Sequence, residues 1–288
     1  MSVYIFHILI MTGIFAILAL SLNILAGFAG LVSLGHAAFF GIGAYASSLL
    51  MINGLGFVPA FLLSGVITSI LGLTLAMPAL RVKDDYLAIV TLGFGIIMGL
   101  VFLNLNITGG ADGLVGIPPV TIFGKPLYSK PGFLGLVLCV LAIMIASAST
   151  LKNSRIGRAW AAVRDNDTTA SFMGINVYYY KTLAFIVSAF WAGLAGSLYA
   201  HYTAYINPHT FGMHTSIQVL SMAVLGGLGS IAGSLIGALL LTVLPELLRK
   251  LADYQDIFYG ALLVALMVFR PQGIMGRVKI TDFFGRKT

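Results

Sequence analysis

Chemistry in this chain has few side chains to work with. The five histidines are His7, His36, His201, His209 and His214. The last three lie close together in sequence, which suggests a metal site. A metal there would need support from carboxylates or thiolates, and none stands beside them, so ordinary interfacial histidines are the simpler reading. No metal and no other cofactor is expected. Cys139 is the only cysteine, which excludes a disulfide or a cysteine-based metal site within one chain. Neither H-E-x-x-H nor G-x-S-x-G occurs, and no nucleophile–base pair can be assembled from spacing. G-x-x-x-x-G-K-[ST] is also missing, so the chain has no phosphate loop with which to hydrolyse ATP.

What remains is uncharged polar chemistry in apolar surroundings. Asn23, Ser33 and His36 surround a break at Gly27-Phe28-Ala29-Gly30, and Thr91, Asn104, Asn106 and Thr108 line a later apolar stretch and its exit. Such groups can hydrogen-bond a zwitterion without burying a net charge, and helix ends can add partial charge for a carboxylate. Asn23, Ser33, His36, Thr91 and Thr108 are therefore candidates for a substrate pathway. Hydrogen bonding between helices is the competing reading. Glycines recur at helical spacing in Gly95 and Gly99, and again in Gly229, Gly233 and Gly237, as close helix packing requires. Leu25 to Leu31 loosely echoes Leu225 to Ile231, a short hint of an internal repeat.

These residues sit in a chain that a membrane must hold. No Lys, Arg, Asp or Glu occurs before Arg81. Charged residues make up 9% of the sequence and apolar ones 59%, with a mean hydropathy of +1.01. A soluble surface needs far more charge, about 25%. The chain reads as one all-α, polytopic transmembrane bundle over residues 1–288, with no soluble domain. A bilayer crossing takes about 20 apolar residues. The charge-free windows, broken at glycine and proline, give spans over 4–25, 31–51, 57–79, 86–104, 133–151, 183–203, 211–227, 231–247 and 254–269. That is about nine crossings, with eight to ten allowed: 211–227 has the length of a re-entrant half-helix, although the Lys and Arg bias argues that it crosses, and Ile257 to Phe269 offers only 13 uncharged residues.

Charge then orients the bundle. With the C-terminus inside, the inner segments carry Arg81, Lys83, Lys152, Arg155, Arg158, Arg164, Lys181, Arg270, Arg277, Lys279, Arg286 and Lys287. The outer loops carry Lys125, Lys130, Arg249 and Lys250, a split of 12 to 4. The N-terminus is then outside. The net charge of +7 reflects this loop bias near anionic lipid and not a nucleic-acid surface. No carboxylate falls mid-span, since Glu246 lies at a helix end beside Pro245. Ion-coupled carriers commonly rely on intramembrane acids, so a transporter of this composition takes its energy from elsewhere. A channel would need a filter or charged ring, and neither is visible.

The inner loop 152–181 is unusual. Ser154 suits the cap of one short helix, and Asp167 that of a second ended by Gly174. Trp160, Val163, Phe172 and Met173 are out of place in a solvated loop. Their mixture with Arg158 and Arg164 suits a docking surface for another protein.

Four stretches then form a familiar pattern. They are Ser21 to Tyr45, Tyr86 to Gly95 with Thr108 to Pro118, Arg155 to Ile175, and Val224 to Gly237, followed by Arg270-Pro271-Gln272-Gly273. Together they resemble the permease subunits of bacterial branched-chain amino acid ABC importers, most closely the LivM-type members, over nearly the whole chain. The resemblance implies a multi-pass subunit of a bacterial or archaeal inner membrane that is not itself an enzyme. It implies a second homologous permease, two cytoplasmic ABC ATPase subunits and an extracytoplasmic binding protein as partners. Loop 152–181 would then contact an ATPase through Arg155, Gly157, Arg158, Trp160, Arg164, Asp165 and Asp167. Leucine, isoleucine or valine is the implied cargo, with urea, short amides and other amino acids as alternatives in related permeases. A stand-alone carrier or channel is the rival from another class.

Overall fold

The computed structural model describes residues 2–81, 84–122, 125–127, 129–247, 260 and 273–275. Apart from residue 260, the expected span 254–269 lies outside the described residues, as do the basic residues from Arg270 onward. Ten helices are formed among those described: α1 (Ser2–Asn23), α2 (His36–Ile52), α3 (Phe57–Ala79), α4 (Asp84–Asn104), α5 (Lys130–Asn153), α6 (Arg155–Asp165), α7 (Asp167–Phe172), α8 (Val177–Thr203), α9 (Met213–Gly226) and α10 (Ile231–Leu247). One π-helical turn, Ile24–Phe28, extends α1. Five of these helices are long and apolar enough to cross a membrane, and α2 and α10 are shorter apolar helices. The chain is a multi-pass membrane protein.

Two helices form the interior. The most apolar stretch of α1 with its π turn is 78% buried, and that of α8 is 72% buried. α8 packs against α2, α3 and α1, while α1 also meets α5, α9 and α10. Small residues make this possible. A Cβ at Gly43 would collide with the backbone of Gly193, and one at Gly196 with the carbonyl of Phe40, so α2 and α8 touch backbone to backbone. Dispersion between closely apposed backbones replaces the hydrophobic drive that lipid cannot supply. α4 and α5 are peripheral, with only 17% and 22% of their apolar stretches buried.

The helix ends depart from the sequence expectation in instructive places. The second helix begins at His36, not near residue 31, because Gly30 takes φ +80 and the chain runs without regular structure to Gly35. α9 has 14 residues. At about 1.5 Å per residue it spans about 21 Å, less than the roughly 30 Å of a hydrocarbon core. The connection before it folds inward. Phe211 is buried at 1% exposure, its ring 5.4 Å from Phe40 and 5.8 Å from Tyr45. That connection is tied down by a two-residue ribbon, β1 (Leu114–Val115) against β4 (Tyr205–Ile206). A second ribbon pairs β2 (Thr121–Ile122) with β3 (Lys125–Pro126). At the same end, His201 Nδ1–H donates to the Pro118 carbonyl at 3.1 Å, which leaves Nε2 to accept from Ser47 at 2.8 Å.

The glycine spacing is partly corrected. Gly233 and Gly237 lie on α10 against the carbonyls of Gly226 and Met222 on α9, where a Cβ would clash. Gly229 is not on that helix. It sits before Ile231 with φ +82, a left-handed turn residue between α9 and α10. Gly95 approaches Gly35, but a Cβ on Gly99 would meet nothing within 4 Å among the described residues. Gly99 therefore makes no close helix contact with the described residues.

Candidate functional site

The first site is the polar mouth of α2. His36 and Ser33 are fully buried there, as is Thr91. The Ser21 hydroxyl donates to the Leu18 carbonyl at 2.7 Å, so its oxygen accepts from His36 Nε2–H, also at 2.7 Å. That assignment fixes the tautomer: Nδ1 carries a lone pair and acts only as an acceptor. Among the described residues no partner reaches Nδ1, and none reaches the Ser33 hydroxyl. Around them, the Leu34 N–H donates to Thr91 Oγ1 and the Ala37 N–H to Ser216 Oγ, each at 3.0 Å. Side chains from α1, α4 and α9 thus hold the start of α2. The mouth leaves one acceptor and one hydroxyl open, and a buried polar group without a partner is costly.

Of the residues singled out from sequence, Ser33, His36 and Thr91 meet here. Thr108 does not: its hydroxyl caps the end of α4 by bonding the carbonyls of Phe102 and Leu105, 2.7 Å each. Ser21 and Ser216 belong to the mouth and were missed. Single serines in apolar helices carry no signal that separates them from ordinary packing.

The second feature is a junction between two backbone breaks. Asn23 is buried, and both ends of its amide are used. Oδ1 accepts from the Gly229 N–H at 2.8 Å, and Nδ2 donates to the Ser230 carbonyl at 2.9 Å. Gly27 packs directly on Gly229, and a Cβ at Gly27 would overlap the Gly229 nitrogen. The two stretches that echo each other in sequence are therefore in contact. Residues 273–275 add to the same place, with Ile274 and Met275 N–H groups donating to the Leu225 and Gly226 carbonyls at 2.9 Å. Those are the end carbonyls of α9, which need partners.

Two cations close over the junction. Arg164 Nη1 donates to the Gly27 carbonyl at 2.6 Å, and Lys152 Nζ to the Gly229 carbonyl at 2.8 Å. Lys152 also stands 5.5 Å above the Phe28 ring. Both cations sit at helix C-terminal turns, α5 for Lys152 and α6 for Arg164.

The segment that carries them folds by its caps. The Ser154 side chain accepts from the Ile156 and Gly157 N–H groups, as expected. α7 is capped by Asn166, which accepts from Thr169 N–H at 2.8 Å, and not by Asp167. Asn166 is extended (φ −166, ψ 115), the usual cap geometry, while Asp167 is the first helical residue and pairs with Lys181. Gly174 ends α7 at φ +80.

Several expected docking residues turn inward. Trp160 is 0% exposed, and its Nε1–H donates to the Tyr180 carbonyl at 2.8 Å. Ala159, Trp160 and Val163 form one buried face of α6 against the bundle, so the ring fills a corner of this chain and offers no surface to a partner. Gly157 is an elbow, where a Cβ would strike the Leu151 and Lys152 carbonyls. Arg155, Arg158 and Asp165 stay exposed. The most exposed large apolar side chains of the segment are Phe172 and Met173, at 85% and 80% exposure, with Tyr178 and Tyr179 exposed to a lesser degree.

Comparison with known proteins gives this architecture a family. The family model described as the permease component of branched-chain amino acid transport systems matches residues 4–267. The high-affinity branched-chain amino acid transport system permease protein LivM of Salmonella typhimurium is 37% identical over 92% of this chain and 68% of that protein. Its Escherichia coli counterpart has the same identity and coverage. BraD of Pseudomonas aeruginosa, named as a permease protein of the same kind of system, is 28% identical over 92% of both chains. No solved structure matches the chain. A bundle of apolar helices with no phosphate loop, matched along nearly its whole length, belongs to the family of permease components of branched-chain amino acid transport systems.

Proposed function

We propose that this chain is a transmembrane permease subunit of an ATP-driven ABC importer for leucine, isoleucine or valine. It forms one permease domain over residues 1–288 in a bacterial or archaeal inner membrane, with segment 152–181 and the C-terminus in the cytoplasm. Its partners are a second homologous permease, two ATPase subunits that bind segment 152–181, and an extracytoplasmic binding protein. It acts among membrane lipid and binds no nucleic acid. The family match carries the reading, because the family model matches residues 4–267 and relatives named as permease proteins align over 92% of this chain. The sequence agrees: it has neither a phosphate loop nor a mid-span carboxylate, so neither ATP hydrolysis nor ordinary ion coupling has residues to run on.

Reconstitution tests this directly. The full complex in proteoliposomes is expected to accumulate labelled leucine only with ATP and loaded binding protein, and the lone chain to accumulate none. Leucine accumulation by the lone chain under an imposed proton or sodium gradient would overturn the importer reading. Failure on leucine with success on urea or another solute would change the cargo alone.

The mouth of α2 is the proposed contact for cargo. His36 Nδ1 offers a lone pair suited to an ammonium, and the Ser33 hydroxyl can donate to a carboxylate. Ser33→Ala removes no packing of note and is expected to lower uptake at least tenfold, with the permease level unchanged. Uptake within twofold of the parent would remove Ser33 from the pathway.

A further inference from the structure

The two backbone breaks meet at the end of the bundle that carries the basic segment, and both are gripped from that segment. A broken helix leaves carbonyls without intrahelical partners. The Gly27 carbonyl is bonded by Arg164, and the Gly229 carbonyl by Lys152. A π turn at the first break fits a site of conformational change, since single π turns are rare and concentrate at functional places. Gly30, Gly227 and Gly229 all take positive φ, so both breaks are hinged on residues that move at little steric cost.

We propose that Arg164 and Lys152 are paired latches that hold these breaks closed as an inner gate, and that displacement of α6 releases them. This rests on the reading that an ATPase docks on segment 152–181. The leverage follows from the contacts. Trp160 pins the middle of α6 to the Tyr180 carbonyl. Arg164 lies one turn further, and the exposed Phe172 and Met173 lie beyond it at the end of α7. A partner that pushes on α7 tilts α6 about Trp160 and draws Arg164 from Gly27. The elbow at Gly157 abuts the Leu151 and Lys152 carbonyls, so the same motion shifts Lys152. Each latch is a single cation on a flexible arm, so the gate opens without unfolding a helix. Behind it, Ser33 follows three residues after the exposed Gly30 and is itself fully buried. Arg164 and Lys152 are positioning residues and touch no cargo.

The test reads gate closure by thiol access. In a Cys139→Ser background, Ser33→Cys is placed in the full transporter, nucleotide-free, in inside-out vesicles. A small impermeant maleimide is then added. The parent is expected to label slowly. Arg164→Ala and Lys152→Ala are each expected to raise the labelling rate at least tenfold, and Arg164→Lys to give an intermediate rate. Rates within twofold of the parent for Arg164→Lys and Lys152→Ala together would overturn the gate, even if Arg164→Ala fails to accumulate. Docking is tested separately, by cross-linking Phe172→Cys to the ATPase. Fast labelling in the latch variants without that cross-link would remove the docking reading and keep the gate. A cross-link with slow labelling would do the reverse.

Discussion

Trp160→Ala is expected to remove the folded permease from the membrane, not to leave it folded and uncoupled. The ring has no exposure, and its N–H satisfies the Tyr180 carbonyl. Emptying a buried tryptophan site costs about 3–5 kcal/mol. Leaving a buried carbonyl unpaired adds about 1–3 kcal/mol. Whole domains are stable by only about 5–15 kcal/mol, so this one change consumes much of the margin. Trp160→Phe restores most of the volume and loses only the hydrogen bond, so it is expected to accumulate at an intermediate level. The amount of full-length chain in membranes, with its thermal aggregation midpoint in detergent, measures both. A Trp160→Ala chain that accumulates and melts like the parent would show that the ring's burial contributes little.

The double variant Phe172→Ala, Met173→Ala is expected to behave in the opposite way. Both side chains are exposed, at 85% and 80%, so their removal leaves the permease as stable as before within about 0.5 kcal/mol. At a partner surface, large apolar side chains carry much of the binding energy, about 2 kcal/mol or more for a hot spot. Loss of about 2 kcal/mol corresponds to roughly 30-fold weaker association. Co-purification of the ATPase and leucine uptake are both expected to fall, while chain levels hold. Undiminished co-purification would place the docking surface elsewhere, with Arg155 and Arg158 as the next exposed residues on this segment. The contrast with Trp160 is informative, because all three are large apolar residues in one loop and the fold gives them opposite roles.

Much of the bundle was legible in the sequence because its signals are local. A charge-free run of about 20 residues has few stable homes but a membrane helix. The expected spans 57–79, 86–104 and 231–247 accordingly coincide with α3, α4 and α10 to within two residues at either end. The Ser154 cap was readable for the same reason, since it depends on the N–H groups two and three residues on. Ser33, His36 and Thr91 could be gathered as candidates because polar residues stand out in an apolar run.

Tertiary structure alone decided which way each residue faces. In water, hydrophobicity marks the buried face of a helix, but lipid is as apolar as a protein core, so the sequence of α1 and that of α4 look alike. Their burial, 78% against 17%, depends on which neighbours come close. The same holds for chemistry made by distant segments. Asn23 and Gly229 are 206 residues apart, and nothing in either stretch states that one amide would bridge both breaks. Arg164 reads as a surface cation until the fold brings the Gly27 carbonyl to 2.6 Å. Composition decided that the chain enters a membrane; only the packing of small residues on α2 and α8, which sets how near the helices lie, decided what meets within it.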